Sequence, residues 1–314
     1  MPKVSVIVPI YGVEKYIERC SRSLFEQTLD DIEFIFVDDS TKDNSIAVLQ
    51  KTLEEYPQRK PQTHIVHHDI NKGLPAARRT GIKIASGDYI AHCDSDDWVD
   101  NTIYEQMYNK AKKENLDMVL CKFYLSDGIH NTEYMHRIPF SQNGSLYFEY
   151  INIWAKLVKR EVYNNDIVPV EATMLEDRAL SVQLAYYSEK VAIIEKPLYY
   201  YYQNPDSICR VFTEERCIKR FKEATKNVDL IVSFLENHKQ DSKYPIEIAQ
   251  LKFTARHQIA PITNSHEYYK IWENSYPEIN NIILFSKKVL ISEKIRFILT
   301  RMHLFPLFRK YLSR

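Results

Sequence analysis

The sequence predicts an α/β fold with a mostly parallel central sheet and helices on both faces, followed by a helical C-terminal region. Three observations carry this. Short apolar runs alternate with helical patterns through the first third of the chain. Those runs are almost continuously apolar, the mark of strands covered on both faces rather than on one. From about residue 212 the alternation stops, and long amphipathic segments follow one another instead.

Taken in order, "VSVIVPI" (4–10) is β-branched and strand-like, and a helical pattern follows through Tyr16, Ile17, Cys20 and Leu24. "IEFIFVDD" (32–39) is a second strand; "STKDNSIAVLQKTLEEY" (40–56) opens with capping residues and continues at helical spacing. "THIVHHD" (63–69), "KGLPAARRTGIKIA" (72–85) and "YIAHCD" (89–94) read as strand, helix and strand. Beyond residue 100 a helix is expected at 103–115 and a strand at 118–125, with "WAKLVKREVY", "LEDRALSVQLAYYS", "KVAIIEK" and "LYYYYQ" after them. Helical segments are expected near 213–237, 244–260, 266–274 and 288–303. The expected division is one domain at 1–211, with halves at 1–100 and 101–211, and a helical region at 212–314.

Composition narrows the classes. Hydrophobic residues are 45% and charged residues 27%, ordinary for a globular protein. Lys+Arg and Asp+Glu balance at 42 each, so there is no overall field for nucleic acid. The balance is uneven along the chain, because residues 286–314 hold eight Lys and Arg against the single acid Glu293, a net of +7. Ile291, Ile295, Ile298 and Met302 form one stripe of that basic segment. It can lie on an anionic membrane or pack on the acidic body. Five scattered cysteines without a Cys-x-x-Cys pair suit a reducing, cytoplasmic setting. The N-terminus reads as a strand rather than a signal peptide, and no run reaches the roughly 18–20 apolar residues of a membrane span.

The chemistry concentrates at the ends of the expected strands: Pro9-Ile10-Tyr11, Asp38-Asp39, Asp69 and Asp94-Ser95-Asp96. Parallel α/β sheets bind ligands at that edge. In "SGDYIAHCDSDDWVD", five carboxylates (Asp88, Asp94, Asp96, Asp97, Asp100) fall within thirteen residues. Like charges so close disfavour ionisation unless a cation sits between them. Asp-x-Asp presents hard oxygen ligands suited to Mg²⁺ or Mn²⁺, completed by substrate phosphates. A bare acidic turn capping the helix near 99–113 explains the same residues; for Asp38-Asp39 the alternative is an N-cap of the following helix, a job Ser40 and Thr41 could do instead.

With "VSVIVPIYG", "FIFVDDST", "NKGLPAARRTG" and "SGDYIAHCDSDDW" in this order, the chain resembles the family 2 glycosyltransferases, which have the Rossmann-like GT-A fold. The resemblance covers residues 3–125 strongly and 150–208 more weakly. It implies an inverting, metal-dependent transferase with a nucleotide-sugar donor, a UDP-sugar, and a saccharide or lipid-linked acceptor in surface polysaccharide synthesis. It places the nucleotide-binding half at 1–100 and the acceptor half at 101–211. By the same resemblance Tyr11 stacks on uracil, Pro9 lines the base pocket, and Asp39, beside Asp38, accepts from uracil N3–H. Arg78 contacts the nucleotide and Lys72 lies near the phosphates. Asp94 holds the ribose and supports the metal, which Asp96 ligates. "MLEDRALSVQLAYYS" resembles the family's Glu-Asp motif, implying Asp177 as catalytic base and Glu176 as its acceptor-side neighbour. "KPLYYYYQNPDSI" resembles the following Leu-Tyr-x-Tyr…Ser-Ile segment, and Ser207 either donates to a phosphate oxygen or forms the turn after Pro205-Asp206.

Two positions depart from the pattern. Tyr202 stands where relatives carry an Arg, so diphosphate binding passes to Lys156, Arg210 or the metal, and Gly12 replaces an Asn. Arg79 reads as a solvated helix charge, and His67-His68-Asp69 and His92 read as ordinary sheet residues. The tyrosines 199–202 form either an acceptor platform or an aromatic strand packed on the body. Two other classes share these features: a sugar-phosphate nucleotidyltransferase, disfavoured by the lone glycine in "PIYGVEKY", and a non-catalytic binding module of the same fold.

Overall fold

A computed structural model describes residues 1–134, 145–204 and 212–312. The chain divides into two compact units, the first comprising residues 1–171 and 180–205 and the second 172–179 and 206–314.

Unit 1 is built on a nine-stranded sheet. Its first part runs β1 (Val4–Ile10), α1 (Ile17–Phe25), β2 (Ile32–Asp38), α2 (Ser45–Glu54), β3 (Thr63–His67), α3 (Leu74–Ile84) and β4 (Tyr89–His92). Then follow β5 (Trp98–Val99), α4 (Ile103–Glu114), β6 (Met118–Ser126), β7 (Asn131–Glu133), α5 (Ser145–Phe148), β8 (Lys156–Lys159), α6 (Glu176–Tyr186) and β9 (Val191–Tyr202). The strand order is β3-β2-β1-β4-β8-β6-β9-β5, with β7 on β6. β1 pairs in parallel with β2 and β4, and β2 with β3. The chain therefore winds outward from β1 through β2 to β3 and returns to the other side of β1 at β4. The switch point lies between β1 and β4, and the carboxyl ends of such a pair form a crevice. The parallel expectation holds for this alternating third. Past β4 the sheet is mixed: β8 is antiparallel to β4 and β6, while β9 is parallel to β6 and antiparallel to β5.

The apolar runs become strands because both faces are covered. Val4, Val6, Val8 and Ile10 pack with Leu24 and Phe25 of α1 and with Phe34 and Phe36 of β2. On the opposite face Ile7, Ile35 and Val37 pack with Ala77 of α3, Ala85 and Ile90. Each such Val, Leu, Ile or Phe side chain contributes roughly 1.5–3 kcal/mol by leaving water. Gly81 sets the α3–β1 distance, since a Cβ there would meet Ile7 Cγ2 at 2.4 Å.

Several boundaries differ from expectation for local reasons. The third strand stops at His67, leaving His68 and Asp69 past its end. The run at 154–163 keeps four strand residues and then tightens into a 3₁₀ turn at Arg160–Asn164. The two runs at 190–203 form one strand, and the register shift opposite Lys122 accommodates Pro197.

Unit 2 carries α7 (Glu214–Asn237), α8 (Pro245–His257), α9 (His266–Asn274), α10 (Asn280–Phe285), α11 (Ile291–Arg301) and α12 (Phe305–Leu312). Thr213 caps α7, its side chain accepting from the Arg216 amide at 3.4 Å. Cys217, Phe253, Trp272, Ile283, Phe297 and Phe305 form its core. Among the described residues no helix is long and apolar enough to cross a membrane.

Candidate active site

The carboxyl ends of β1, β2 and β4 bring the first group of candidates to one edge. Tyr11 leaves β1 exposed, and Gly12, at φ 70°, donates its amide to Thr41 Oγ1 at 2.9 Å. The Thr41 amide in turn reaches Asp38 Oδ1 at 2.8 Å, and His67 Nδ1 lies 2.9 Å from Asp38 Oδ2. Asp38 thus ties the turn after β2 to the end of β3.

Asp39 is more deeply committed. It is 3% exposed. Oδ1 accepts from the Lys72 amide at 2.8 Å and lies 2.7 Å from His68 Nδ1; Oδ2 accepts from the Gly73 amide at 2.8 Å. His68 Nε2 continues to Thr80 at 2.8 Å. The carboxylate expected to meet a base is thus already holding the loop that opens α3. Gly73 is needed there, as its φ of 86° is costly for a residue with a Cβ. Lys72 is pinned through its amide while its side chain stays exposed.

Arg78 sits on the inward face of α3, nearly fully buried, and Nη2 donates to Asp94 Oδ1 at 2.7 Å. The Asp94 amide donates to Tyr199 Oη at 3.1 Å. Two residues on, Asp96 Oδ2 accepts from Asn204 Nδ2 at 3.1 Å, and the Asp96 carbonyl accepts from Arg19 Nη2 at 2.9 Å. Burial, and then the charge of Asp94, raise the Asp96 carboxyl above its ordinary range. Asp97 is fully buried between Tyr199 Oη, which donates at 2.6 Å, and the Tyr202 amide, which donates at 2.7 Å. Burial raises its carboxyl furthest, with Asp96 and Asp94 adding to the effect. Asp97 is the fastener that binds the acidic turn to the end of β9.

This donor set fits a hard cation. Asp94 and Asp96 each keep one carboxylate oxygen that no other described residue's donor reaches. Their mutual repulsion is what a cation would remove. Among the described residues no cluster of three or more His, Cys, Asp or Glu could hold a metal by itself. A cation here would complete its shell with substrate oxygens and water, the usual Mg²⁺ and Mn²⁺ pattern.

The Tyr202 departure has a counterpart that sequence reasoning missed. The Arg19 guanidinium stacks over Trp98 at 3.7 Å and Tyr202 at 4.7 Å. Lys156 does not offer its charge to this edge: it is buried, and Nζ donates to Tyr150 O (2.6 Å), Asn152 O and Ser181 Oγ (3.4 Å). Ser207 and Arg210 lie outside the described residues. Arg79 stays exposed on α3, and its Nη1 also donates to the Val170 carbonyl. His92 is a sheet residue 3.2 Å from Tyr163 Oη, and burial, then Arg78 and Lys156, push it well below the ordinary imidazole value. The tyrosines pack on the body: Tyr199 and Tyr201 stack on Trp154 at 4.6 and 5.1 Å, and Tyr200 lies between Trp98 and Tyr124.

The second group of candidates lies at the start of α6, whose first four residues belong to unit 2 and the remainder to unit 1. Glu176 and Asp177 occupy the first turn of α6, with Glu176 buried and Asp177 half-buried. Asp177 Oδ1 accepts from the Arg178 amide at 2.8 Å. The segment before them is clamped by α7: Asn227 Nδ2 donates to Ala172 O at 2.7 Å and Met174 O at 2.8 Å, and Glu223 accepts from the Met174 amide at 3.2 Å. Nothing local to "VEATMLED" signals that partner some fifty residues downstream.

The model for glycosyl transferase family 2 matches residues 5–180 of this chain. The chain is 31% identical over 227 residues to the uncharacterized glycosyltransferase EpsJ of Bacillus subtilis (strain 168), a match that takes in 67% of this chain and 64% of that protein. The chain thus spans just under two thirds of that relative's length. Among solved structures, it is similar to S. aureus TarS 1-349 in complex with UDP-GlcNAc: TM-score 0.61, 16% identity, 99% of this chain and 90% of that one. It is also similar to the mannosyltransferase PcManGT from Pyrobaculum calidifontis in complex with GDP-Man and Mn²⁺: TM-score 0.53, 13% identity, 98% and 88% covered. At such identities the two likenesses show the GT-A fold. The family match extends over more than half of the chain and takes in both the β4-end aspartates and the Glu-Asp turn of α6, so the chain belongs to glycosyl transferase family 2.

Proposed function

We propose that this chain is an inverting glycosyltransferase that moves a sugar from a UDP-sugar to a saccharide or lipid-linked acceptor in surface polysaccharide synthesis, with Mn²⁺ or Mg²⁺ at Asp96 and Asp94. The observation that carries the proposal is the strand-end pair at the β1/β4 switch point: Arg78 orients Asp94 at 2.7 Å, and Asp96 stands two residues on with a raised carboxyl. Family membership and a UDP-GlcNAc complex of a protein with this fold support the donor class. The Mn²⁺ complex of the second neighbour supports the cation.

In this reading the exposed Tyr11 offers a stacking face for uracil, and Pro9 lines the base pocket. Asp38 and Asp39 act by fixing the turn after β2 and the Lys72-Gly73 loop, which points α3 and its Arg78 at the edge. Lys72 meets the diphosphate, and Ser207 donates to one of its oxygens. A bound divalent cation supplies Lewis-acid stabilisation of the charge that grows on the departing diphosphate. Asp177 accepts the proton of the acceptor hydroxyl as that oxygen bonds to the anomeric carbon, while the bond to the UDP oxygen breaks. One displacement on the face opposite the leaving group inverts the anomeric configuration. Glu176 orders the acceptor beside it.

Nucleotide affinity with and without Mn²⁺ tests the metal assignment. Wild-type protein should bind UDP more tightly with Mn²⁺ than without. Asp96→Ala should lose that difference yet unfold at nearly the same temperature, because Asp96 contributes little packing. Retained metal-dependent affinity in Asp96→Ala would move the cation elsewhere. A panel of nucleotide-sugars screened by thermal shift with Mn²⁺ then identifies the donor.

A further inference from the structure

The outward face of α11 has no account in the fold of unit 2. On its inner side Phe297 and Thr300 are fully buried. Glu293 belongs to the same side, since its Oε2 accepts from Gln250 Nε2 at 2.9 Å. The opposite side carries Ile291, Ile295, Ile298 and Met302, which fall within one narrow sector of the helix at the 100° step per residue. These four are 76, 42, 44 and 58% exposed. The helix therefore carries an apolar stripe opposite its buried side, and packing in unit 2 accounts only for the buried side. Phe285, the last residue of α10, and Leu307 and Phe308 of α12 add exposed apolar area at 77, 72 and 45%.

Charge distinguishes the occupants of such a face. Lys287, Lys288, Lys294 and Arg301 make no ion pair among the described residues. The segment 286–314 carries a net of +7. A second copy of the chain docking face to face would bring two such sets of cations together, which opposes self-association. An anionic lipid surface meets both features at once, taking the apolar stripe into the headgroup layer and the cations against its phosphates.

We propose that the outer face of α11, with Leu307 and Phe308 of α12, is a docking face for an anionic membrane surface. The inference rests on this exposed face and not on the transfer reaction, so either can fail alone. Its test is co-sedimentation of the full chain with vesicles of phosphatidylcholine alone or mixed with phosphatidylglycerol. The expected result is binding to the mixed vesicles only, weakened by added salt. The double substitution Ile295→Asp/Ile298→Asp should weaken binding about tenfold or more with a nearly unchanged unfolding temperature, as both side chains lie outside the buried core of unit 2. Lys287→Glu/Lys288→Glu/Lys294→Glu should weaken it to a similar degree. No binding, equal binding to both vesicle types, or a double variant that binds like the parent overturns the proposal. So does a concentration-dependent dimer that the double substitution dissolves, since that would make the face an interface between copies.

Discussion

At the sheet edge of unit 1, buried ionisable groups hold one another. Arg78 meets Asp94, Asp97 meets Tyr199, and Asp39 meets His68 and two backbone amides. In the interior of unit 2 the same residue types are surrounded by rings. Arg256 is fully buried over Trp272 at 4.6 Å and Phe297 at 5.2 Å. Among the described residues only its Nη1 donates, to Asn280 Oδ1 at 2.7 Å and Ser275 O at 3.3 Å. Burial pushes Arg256 down to about 10. His257 lies against Phe305 at 4.4 Å and Phe253 at 5.2 Å, and neither of its ring nitrogens finds a partner among the described residues. Paired burial fixes the direction of each carboxylate, which a reaction needs. Burial among rings leaves polar atoms unpaired among the described residues, Arg256 Nε and Nη2 and both His257 nitrogens, and costs stability, because an unpaired polar group has left water. Substitutions in the first region should therefore change turnover and binding as well as stability, and those in the second stability alone.

The largest expected effect belongs to the catalytic assignment. Asp177→Asn keeps the side chain's size and its place in the first turn of α6 but removes the proton acceptor. Transfer should fall by about 10²–10⁴-fold while UDP affinity stays within error. Steady-state transfer and nucleotide titration check this together, and comparable turnover would move the base to another group, with Glu176 the next to test.

Asp97→Ala comes next and probes the paired region directly. It leaves Tyr199 Oη and the Tyr202 amide without their acceptor in a buried site. We expect a stability loss of about 3 kcal/mol, from two donors stranded away from water. Metal-dependent UDP binding should fall with it, since Asp94 and Asp96 share that turn. A loss confined to stability would mean that Asp97 braces β9 without orienting its neighbours.

Asn227→Ala is smaller and more selective. Its two donations to Ala172 O and Met174 O position the chain entering α6. Turnover should drop about tenfold with donor KM unchanged, since a misplaced base costs rate before it costs binding. An equal change in donor affinity would make Asn227 merely structural.

These residues also mark what could be read before folding. Alternating apolar runs gave away the first four strands, and a two-residue spacing after the fourth exposed Asp94 and Asp96. Asp97 looked like one more acid in a run of them, because its partners Tyr199 and Tyr202 lie more than a hundred residues away. Arg19 is an unremarked cation on a helix until Trp98 and Tyr202 come to flank it. Asp39 was legible as a strand-end acid but not as one already holding two backbone amides. On α11 the periodicity revealed the isoleucine stripe, yet it could not say which side faces inward; Phe297 decided that by filling the core of unit 2.

The smallest expected effect sharpens the contrast from the other side. Burial, then Arg296 and Arg256, lower His257 from its ordinary 6.5 to about 3. Between those values the unfolded chain binds a proton that the folded one refuses, so stability rises with pH. It is fully present above about 6.5 and is lost as pH falls toward 3, at up to about 1.4 kcal/mol per pH unit. His92 in unit 1 acts with the same sign, so the parent shows both contributions. His257→Leu removes one of them and replaces an unpaired polar ring by an apolar chain of similar volume. Denaturant unfolding from pH 7 to pH 4 should show the variant with a shallower pH slope by about one proton and more stable by about 1 kcal/mol at pH 7. Asp97 and His257 are both buried and ionisable, yet truncating the first should destabilise and replacing the second should stabilise. If His257→Leu lost stability at pH 7 and kept the parent slope, the ring would have a partner, and the distinction between the two regions would fail.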